Sequence, residues 1–137
     1  MKLQVASKTK ISPLFAIIIL MDKKCEVIYY VSSKGDRPIK EFLDSLSEIQ
    51  QAKILRVIEI IKNYGLQQAR PYVKKLTSTP FWEIRILGKD NIRVVYVVPY
   101  KDTVLILHGF IKKSQKIPEK ELSLAFKRYK DWMSTTT

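Results

Sequence analysis

The chain of 137 residues holds one cysteine, one histidine and four glycines. A single cysteine forms no internal disulfide, and one cysteine with one histidine builds no zinc site of the Cys/His kind. This usage suits the cytosol, and a cytoplasmic location is expected. Glycine and proline are too sparse for a disordered or low-complexity chain. Acid is short as well: 13 Asp and Glu stand against 25 Lys and Arg, a formal charge of +12. That deficit favours an anionic partner, whether nucleic acid, an acidic protein or a membrane surface. No apolar run is long enough to span a bilayer. No internal repeat or linker interrupts the chain, whose length is that of one domain.

What is present begins unevenly. Residues 1–20, MKLQVASKTKISPLFAIIIL, carry three lysines and no acid before an apolar run that ends at Leu20. A basic start and an apolar middle resemble a secretory signal, but no small-x-small cleavage site follows. The preferred reading is that Met21 is the natural start, 1–20 is an upstream extension outside the core, and 21–137 is a single domain. Without the extension 22 basic residues still face 13 acidic ones.

Residues 25–31, CEVIYYV, predict a strand. Pro38 is placed to open a helix over about 38–46, with Ile39, Phe42, Leu43 and Leu46 at helical spacing. Ser47 and Gln50 form a capping-box pattern for a second helix over 48–64, whose apolar positions are Ile54, Val57, Ile58 and Ile61 and whose stop is Gly65. Residues 70–76 form an irregular approach or a short strand. Strands follow at about 81–87, 92–98 and 103–110. Pro118 opens a last helix with Glu119 and Glu121 in its first turn. The stripe of that helix is Leu122, Phe126, Tyr129 and Met133. The expected class is α+β, with a mostly antiparallel sheet, an N-terminal helical hairpin and a C-terminal helix.

A one-residue slip turns a strand over, so register decides which charges meet. If Gly88-Lys89-Asp90 is the loop of a hairpin, Leu87 faces Asn91 and Arg85 faces Arg93. Trp82, Ile84, Ile86, Ile92, Val94 and Tyr96 then share the other, apolar face. A loop one residue longer places Arg93 among those apolar groups. Like charges directly opposed are destabilising, so either a neighbour such as Glu83 or a bound phosphate should compensate. Charge is concentrated here: residues 70–116 hold ten Lys and Arg and three acids, while 37–64 hold five and four. Such concentration fits a nucleic-acid binder, although lysine-bearing loops also serve plain solvation. After the apolar run 104–107, the segment HGFIKKSQKIP adds Lys112, Lys113 and Lys116. The chain is expected to turn at Gly109, which lacks a side chain and permits close backbone approach.

The stretches DRPIKEFLDSL, NYG, PYVKKL, FWEIRI, IRVVYVV and LHGFIKKSQKIPEKEL, in this order and spacing over about 22–133, resemble the RelE/HigB-like toxin superfamily, in particular its phage-derived host-inhibition branch. The resemblance implies a RelE-like compact domain and a toxin of a type II toxin–antitoxin pair. Many such toxins are ribosome-dependent mRNA endoribonucleases (mRNA interferases) that enter the ribosomal A site and inhibit translation, each neutralised by a cognate antitoxin, here expected to be a helix-turn-helix protein. A branch of the same fold poisons DNA gyrase instead, and a non-catalytic basic binding module is a third reading; fold alone does not choose.

The RNase chemistry implied needs orientation of the RNA's own 2′-hydroxyl, neutralisation of developing charge and proton transfer. It calls for no metal or cofactor. By position in the family pattern, Arg93 in IRVVY, Arg85 in WEIRI and Lys113 are the catalytic candidates. Lys112, Lys116, Lys74, Lys75, Tyr72 and His108 are candidates for holding RNA or its phosphates, with Tyr72 able to stack on a base. Glu83 departs from RelE, which carries a basic residue there. His108 reads either as a general base or as a packed neighbour of Val104, Ile106 and Phe110 on one strand face.

Overall fold

The computed structural model describes residues 12–15, 25–86, 88–89 and 91–136. The expectations for the upstream extension and the Met21 start therefore lie outside the described residues, except at 12–15, where Leu14 and Phe15 are exposed. The first strand, β1 (Glu26–Tyr29), leads through the turn Ser32–Asp36 into α1 (Pro38–Asp44), which Pro38 opens. Helix α2 (Glu48–Tyr64) starts where the capping box requires. The Ser47 hydroxyl accepts the Gln50 N–H at 3.2 Å, and the Gln50 side chain accepts the Ser47 N–H at 2.8 Å. Two otherwise unsatisfied amide donors are thereby paired. Gly65 ends the helix at φ 88°, in the left-handed region that suits glycine.

A 3₁₀ segment (Leu66–Tyr72) then approaches β2 (Val73–Lys75), so the ambiguous stretch 70–76 is half one thing and half the other. Strands β3 (Phe81–Ile86), β4 (Ile92–Val97) and β5 (Thr103–Ile111) form an antiparallel meander, and α3 (Glu119–Thr136) closes the chain. The sheet order is β1-β5-β4-β3-β2. Its β1 edge runs parallel to β5, so the sheet is mixed rather than antiparallel throughout. The physical reason is the crossover: β1 is rejoined only after α1, α2 and the meander have intervened, and β5 then arrives in the same direction.

The β3–β4 register pairs Arg85 with Arg93, as the apolar pattern predicts; Leu87 lies outside the described residues. The inner side carries Ile84, Ile86, Ile92, Val94 and Tyr96, all buried, with Trp82 half-buried against them. Ile54, Val57, Ile58 and Ile61 of α2 are buried in the same core. The other side carries Phe81, Glu83, Arg85, Arg93, Val95 and Val97. Helix α3 covers one end of it, its Phe126 and Tyr129 rings meeting Phe81 edge-on at 4.6 and 6.2 Å.

Three expectations need correction. Gly109 is not a turn; it lies inside β5, where a Cβ would overlap the Phe42 ring of α1. The close approach is real, but its partner is a side chain. Second, of the expected α3 stripe Leu122 and Tyr129 do pack against the core, but Ala125 and Trp132 are the buried residues beside them, while Phe126 and Met133 stay over two-fifths exposed. The stripe is rotated because Trp132 packs towards Tyr100, centroids 5.9 Å apart, and Asp131 bonds to Tyr30. Third, a β-bulge falls between Val95 and Tyr96: Val95 pairs with His108 but Tyr96 with Ile106. Leu107 is the extra residue, so His108 shares the charged side with Phe110 but not with Ile106.

Candidate functional site

The meander, β2 and the segment after β5 converge on one cavity of about 480 Å³. Its lining is Lys74, Arg85, Asn91, Arg93, Lys112, Lys113, Ser114 and Gln115, five cations with no carboxylate among them. Register explains the convergence. Lys74 pairs with Glu83 and Arg85 with Arg93, so three cations of three neighbouring strands project to one side. Asn91 takes the left-handed conformation at φ 47°, which an asparagine tolerates, and its carbonyl accepts the Lys112 N–H at 2.9 Å. That bond extends the β4–β5 pairing just far enough to bring Lys112 and Lys113 back over the cavity.

Glu83 lies beneath this surface, 2% exposed. Its Oε1 is 3.7 Å from Arg93 Nε and 3.8 Å from Arg85 Nε. These separations give attraction without a hydrogen bond. Glu83 Oε2, Arg85 Nε and Arg93 Nε are all buried without a hydrogen-bond partner. The Arg93 side chain makes one hydrogen bond, from Nη1 to the Ile92 carbonyl at 3.1 Å. Burial pushes the Arg93 pKa down, Glu83 opposes this and Arg85 adds to it. A guanidinium begins so high that it remains charged. The arrangement is two arginines held close by one buried carboxylate, with donor capacity left over. It can take an anion with several acceptor oxygens, and phosphate matches that description in charge and shape.

The remaining candidates scatter. Lys116 is outside the cavity lining, its carbonyl accepting the Ser114 hydroxyl at 2.8 Å. Lys75 pairs with Trp82 and so points to the opposite side of β2 from Lys74; its ammonium donates to the Leu76 and Thr79 carbonyls. Tyr72 borders a different cavity, on the α2 side of the sheet. His108 is buried under α3. Arg128 Nη1 donates to its Nδ1 at 3.1 Å and to the Leu107 carbonyl at 2.9 Å, while Nε2 meets Glu121 Oε1 at 2.8 Å. An arginine only donates, so Nδ1 is the acceptor and Nε2 carries the proton to Glu121. Burial lowers the His108 pKa; the Glu121 bond works against this and Arg128 reinforces it. Asn91, Ser114 and Gln115 carry no functional mark in the sequence, because nothing in composition separates a polar loop residue that borders a cavity from one that does not. No group of His, Cys, Asp and Glu among the described residues is arranged to hold a metal. No helix among them is long and apolar enough to cross a membrane.

Residues 41–130, about two thirds of the chain, match the family model described as Phage derived protein Gp49-like (DUF891). No curated protein matches the sequence. The matched span runs from α1 to α3 and includes every residue of the cationic cavity. The chain belongs to this Gp49-like family, a toxin-like family related to RelE/HigB.

Proposed function

Starting from that family membership, we propose that the protein is the toxin of a toxin–antitoxin pair and a ribosome-dependent mRNA endoribonuclease of the RelE/HigB type. The observation that supports it best is the meeting of Lys74, Arg85, Arg93, Lys112 and Lys113 on one acid-free cavity. In the proposed reaction the RNA 2′-oxygen bonds to the adjacent phosphorus as its proton departs. The bond to the 5′-oxygen breaks, and that oxygen gains a proton. The products are a 2′,3′-cyclic phosphate and a 5′-hydroxyl. Arg93 sits on the rigid central meander and offers a planar fork to the non-bridging oxygens, whose charge grows in the transition state. Arg85 faces it from the next strand. Glu83 holds the two guanidinium groups together against their mutual repulsion and acts as a positioning residue. Lys112 and Lys113 carry point charges to the flanking phosphates, and Lys74 does so from the other edge.

The partners in this reading are mRNA in the ribosomal A site and a neutralising antitoxin protein. A helix-turn-helix protein encoded by the neighbouring reading frame is the expected antitoxin. The test is induced expression followed by mapping of mRNA 5′ ends. In-frame cuts that require translation are the expected result. DNA breaks with intact mRNA would assign the protein to gyrase instead and end this reading.

A further inference from the structure

A second cavity, of about 380 Å³, adjoins the first and shares Arg85 with it. It lies on the α2 side of the sheet, where Lys53, Arg56, Val57 and Ile60 of α2 face Pro71, Tyr72 and Ile86. The two cavities differ in chemistry. The Arg93 cavity is lined by polar and charged groups alone. The α2 cavity has a floor of Val57, Ile60 and Ile86, a rim of Lys53 and Arg56, and the Tyr72 ring, 40% exposed. It too has no carboxylate in its lining. Its volume lies in the roughly 300–1,000 Å³ range of small-ligand pockets.

We propose that the α2 cavity is a nucleotide subsite of single-stranded RNA, continuous with the phosphate site through Arg85. An apolar floor with an accessible aromatic ring accepts the face of a base, whichever base it is. Cations at its rim and the shared arginine accept the phosphates on either side. The strand would thus bend around the end of β3, placing one phosphate between Arg85 and Arg93 and the neighbouring nucleotide against Tyr72. Charge complementarity favours RNA here over an apolar protein segment, since three cations border the cavity without an acid. The assignment rests on the reading of the first cavity as an RNA phosphate site.

The test uses the full chain and two 2′-O-methylated trinucleotides, which cannot be cleaved by their own 2′-hydroxyl. One carries bases and the other is abasic with the same phosphates. Affinities are measured by anisotropy at one fixed salt concentration. Tyr72→Ala should weaken the base-bearing oligonucleotide roughly tenfold and leave the abasic one unchanged, while Tyr72→Phe should bind both like the parent. Arg93→Ala should weaken both. Replacing Lys53 and Arg56 together with Gln should weaken both oligonucleotides and flatten their salt dependence by at most about one phosphate contact. If Tyr72→Ala binds both as the parent does, or weakens both equally, the subsite is wrong while the Arg93 result stands. If the parent binds neither, subsite and parent reading fall together. Loss of antitoxin binding in Tyr72→Ala with unchanged RNA binding would assign the cavity to the protein partner and overturn the proposal.

Discussion

Two charged clusters share the same side of the sheet, and they are opposites. Under α3, His108, Glu121 and Arg128 form a closed network in which each ring nitrogen of the histidine has a partner and Arg128 also satisfies the Leu107 carbonyl. Beyond the helix, Glu83, Arg85 and Arg93 come together without one hydrogen bond among the three, and each leaves a buried polar atom unpaired. The first cluster spends its hydrogen-bonding capacity on holding α3 to β5. The second keeps its capacity for something else. A native fold pairs nearly all of its buried polar atoms, so the location of the exceptions is informative. They lie beside the surface that gathers Lys74, Arg85, Arg93, Lys112 and Lys113.

Breaking the open cluster should produce the largest effect, and on function. Arg93→Ala should lower mRNA cleavage by ~10²–10³, the usual loss for one group aimed at transition-state charge. The fold and antitoxin binding should survive, checked by circular dichroism and co-purification. Arg93→Lys, which keeps the charge and loses the planar fork, should recover only a small part. Full toxicity of a folded Arg93→Ala protein would remove this arginine from the site.

Breaking the closed cluster should affect stability instead. Arg128→Ala strands His108 Nδ1 and the Leu107 carbonyl, a cost of about 1–3 kcal/mol. The denaturant midpoint should fall, and cleavage per folded molecule should hold. If Arg128→Ala costs activity without cost in stability, the contrast between the clusters fails.

The histidine also sharpens the contrast through pH. Its folded pKa is depressed, so the unfolded chain takes up a proton first as pH falls. The stability it contributes is fully present above the ordinary histidine value of about 6.5. It declines as pH drops below that value towards the folded pKa. Unfolding followed from pH 7.5 to 5.5 should show this loss in the parent, and His108→Gln should flatten it. An equal slope in both proteins would place the titration elsewhere.

The smallest effects belong to the exposed lysines. Lys113→Ala should weaken RNA binding modestly and reduce its salt slope by about one. Lys116→Ala should do less still, since Lys116 is not in the cavity lining. A strong Lys116 phenotype in a cleavage assay would shift the site along the segment after β5.

Much of the fold was legible because the apolar pattern has only one self-consistent phase. The β3–β4 register follows from keeping Arg93 out of the apolar side, and the start of α2 follows from Ser47 and Gln50 alone. Glu83 was nameable as a possible counter-charge because it alternates with Arg85 on one strand. Other features carried no such mark. The parallel pairing of β1 is a tertiary event between Glu26–Tyr29 and Thr103–Ile106, and no local motif encodes it. Lys112, Lys113 and Lys116 look alike in sequence, yet the first two line the cavity, next to the backbone bond from Lys112 to Asn91, and Lys116 does not. Lys74 and Lys75 are adjacent and both basic, yet strand alternation sends them to opposite sides. Their separation needed the β2–β3 register, which a three-residue strand is too short to reveal in advance.

The extra residue at Leu107 makes β5 a strand with two phases. Before it, Ile106 keeps step with Tyr96 and turns towards the helices of the inner core. After it, His108 and Phe110 keep step with Val95 and Arg93. Their rings stack at 5.4 Å, so an aromatic wall runs from the α3 contact to the edge of the cationic cavity. An uninterrupted strand could not serve both sides with the same side chains. Strict alternation through Leu107, without the bulge, would drive His108 and Phe110 into the apolar core and turn Gly109 away from Phe42, whereas deleting Leu107 would regularise the ladder and leave all three facing as they do. One inserted residue thus works as a gear change, letting the second half of the strand turn His108 and Phe110 to the charged side while Gly109 still meets Phe42.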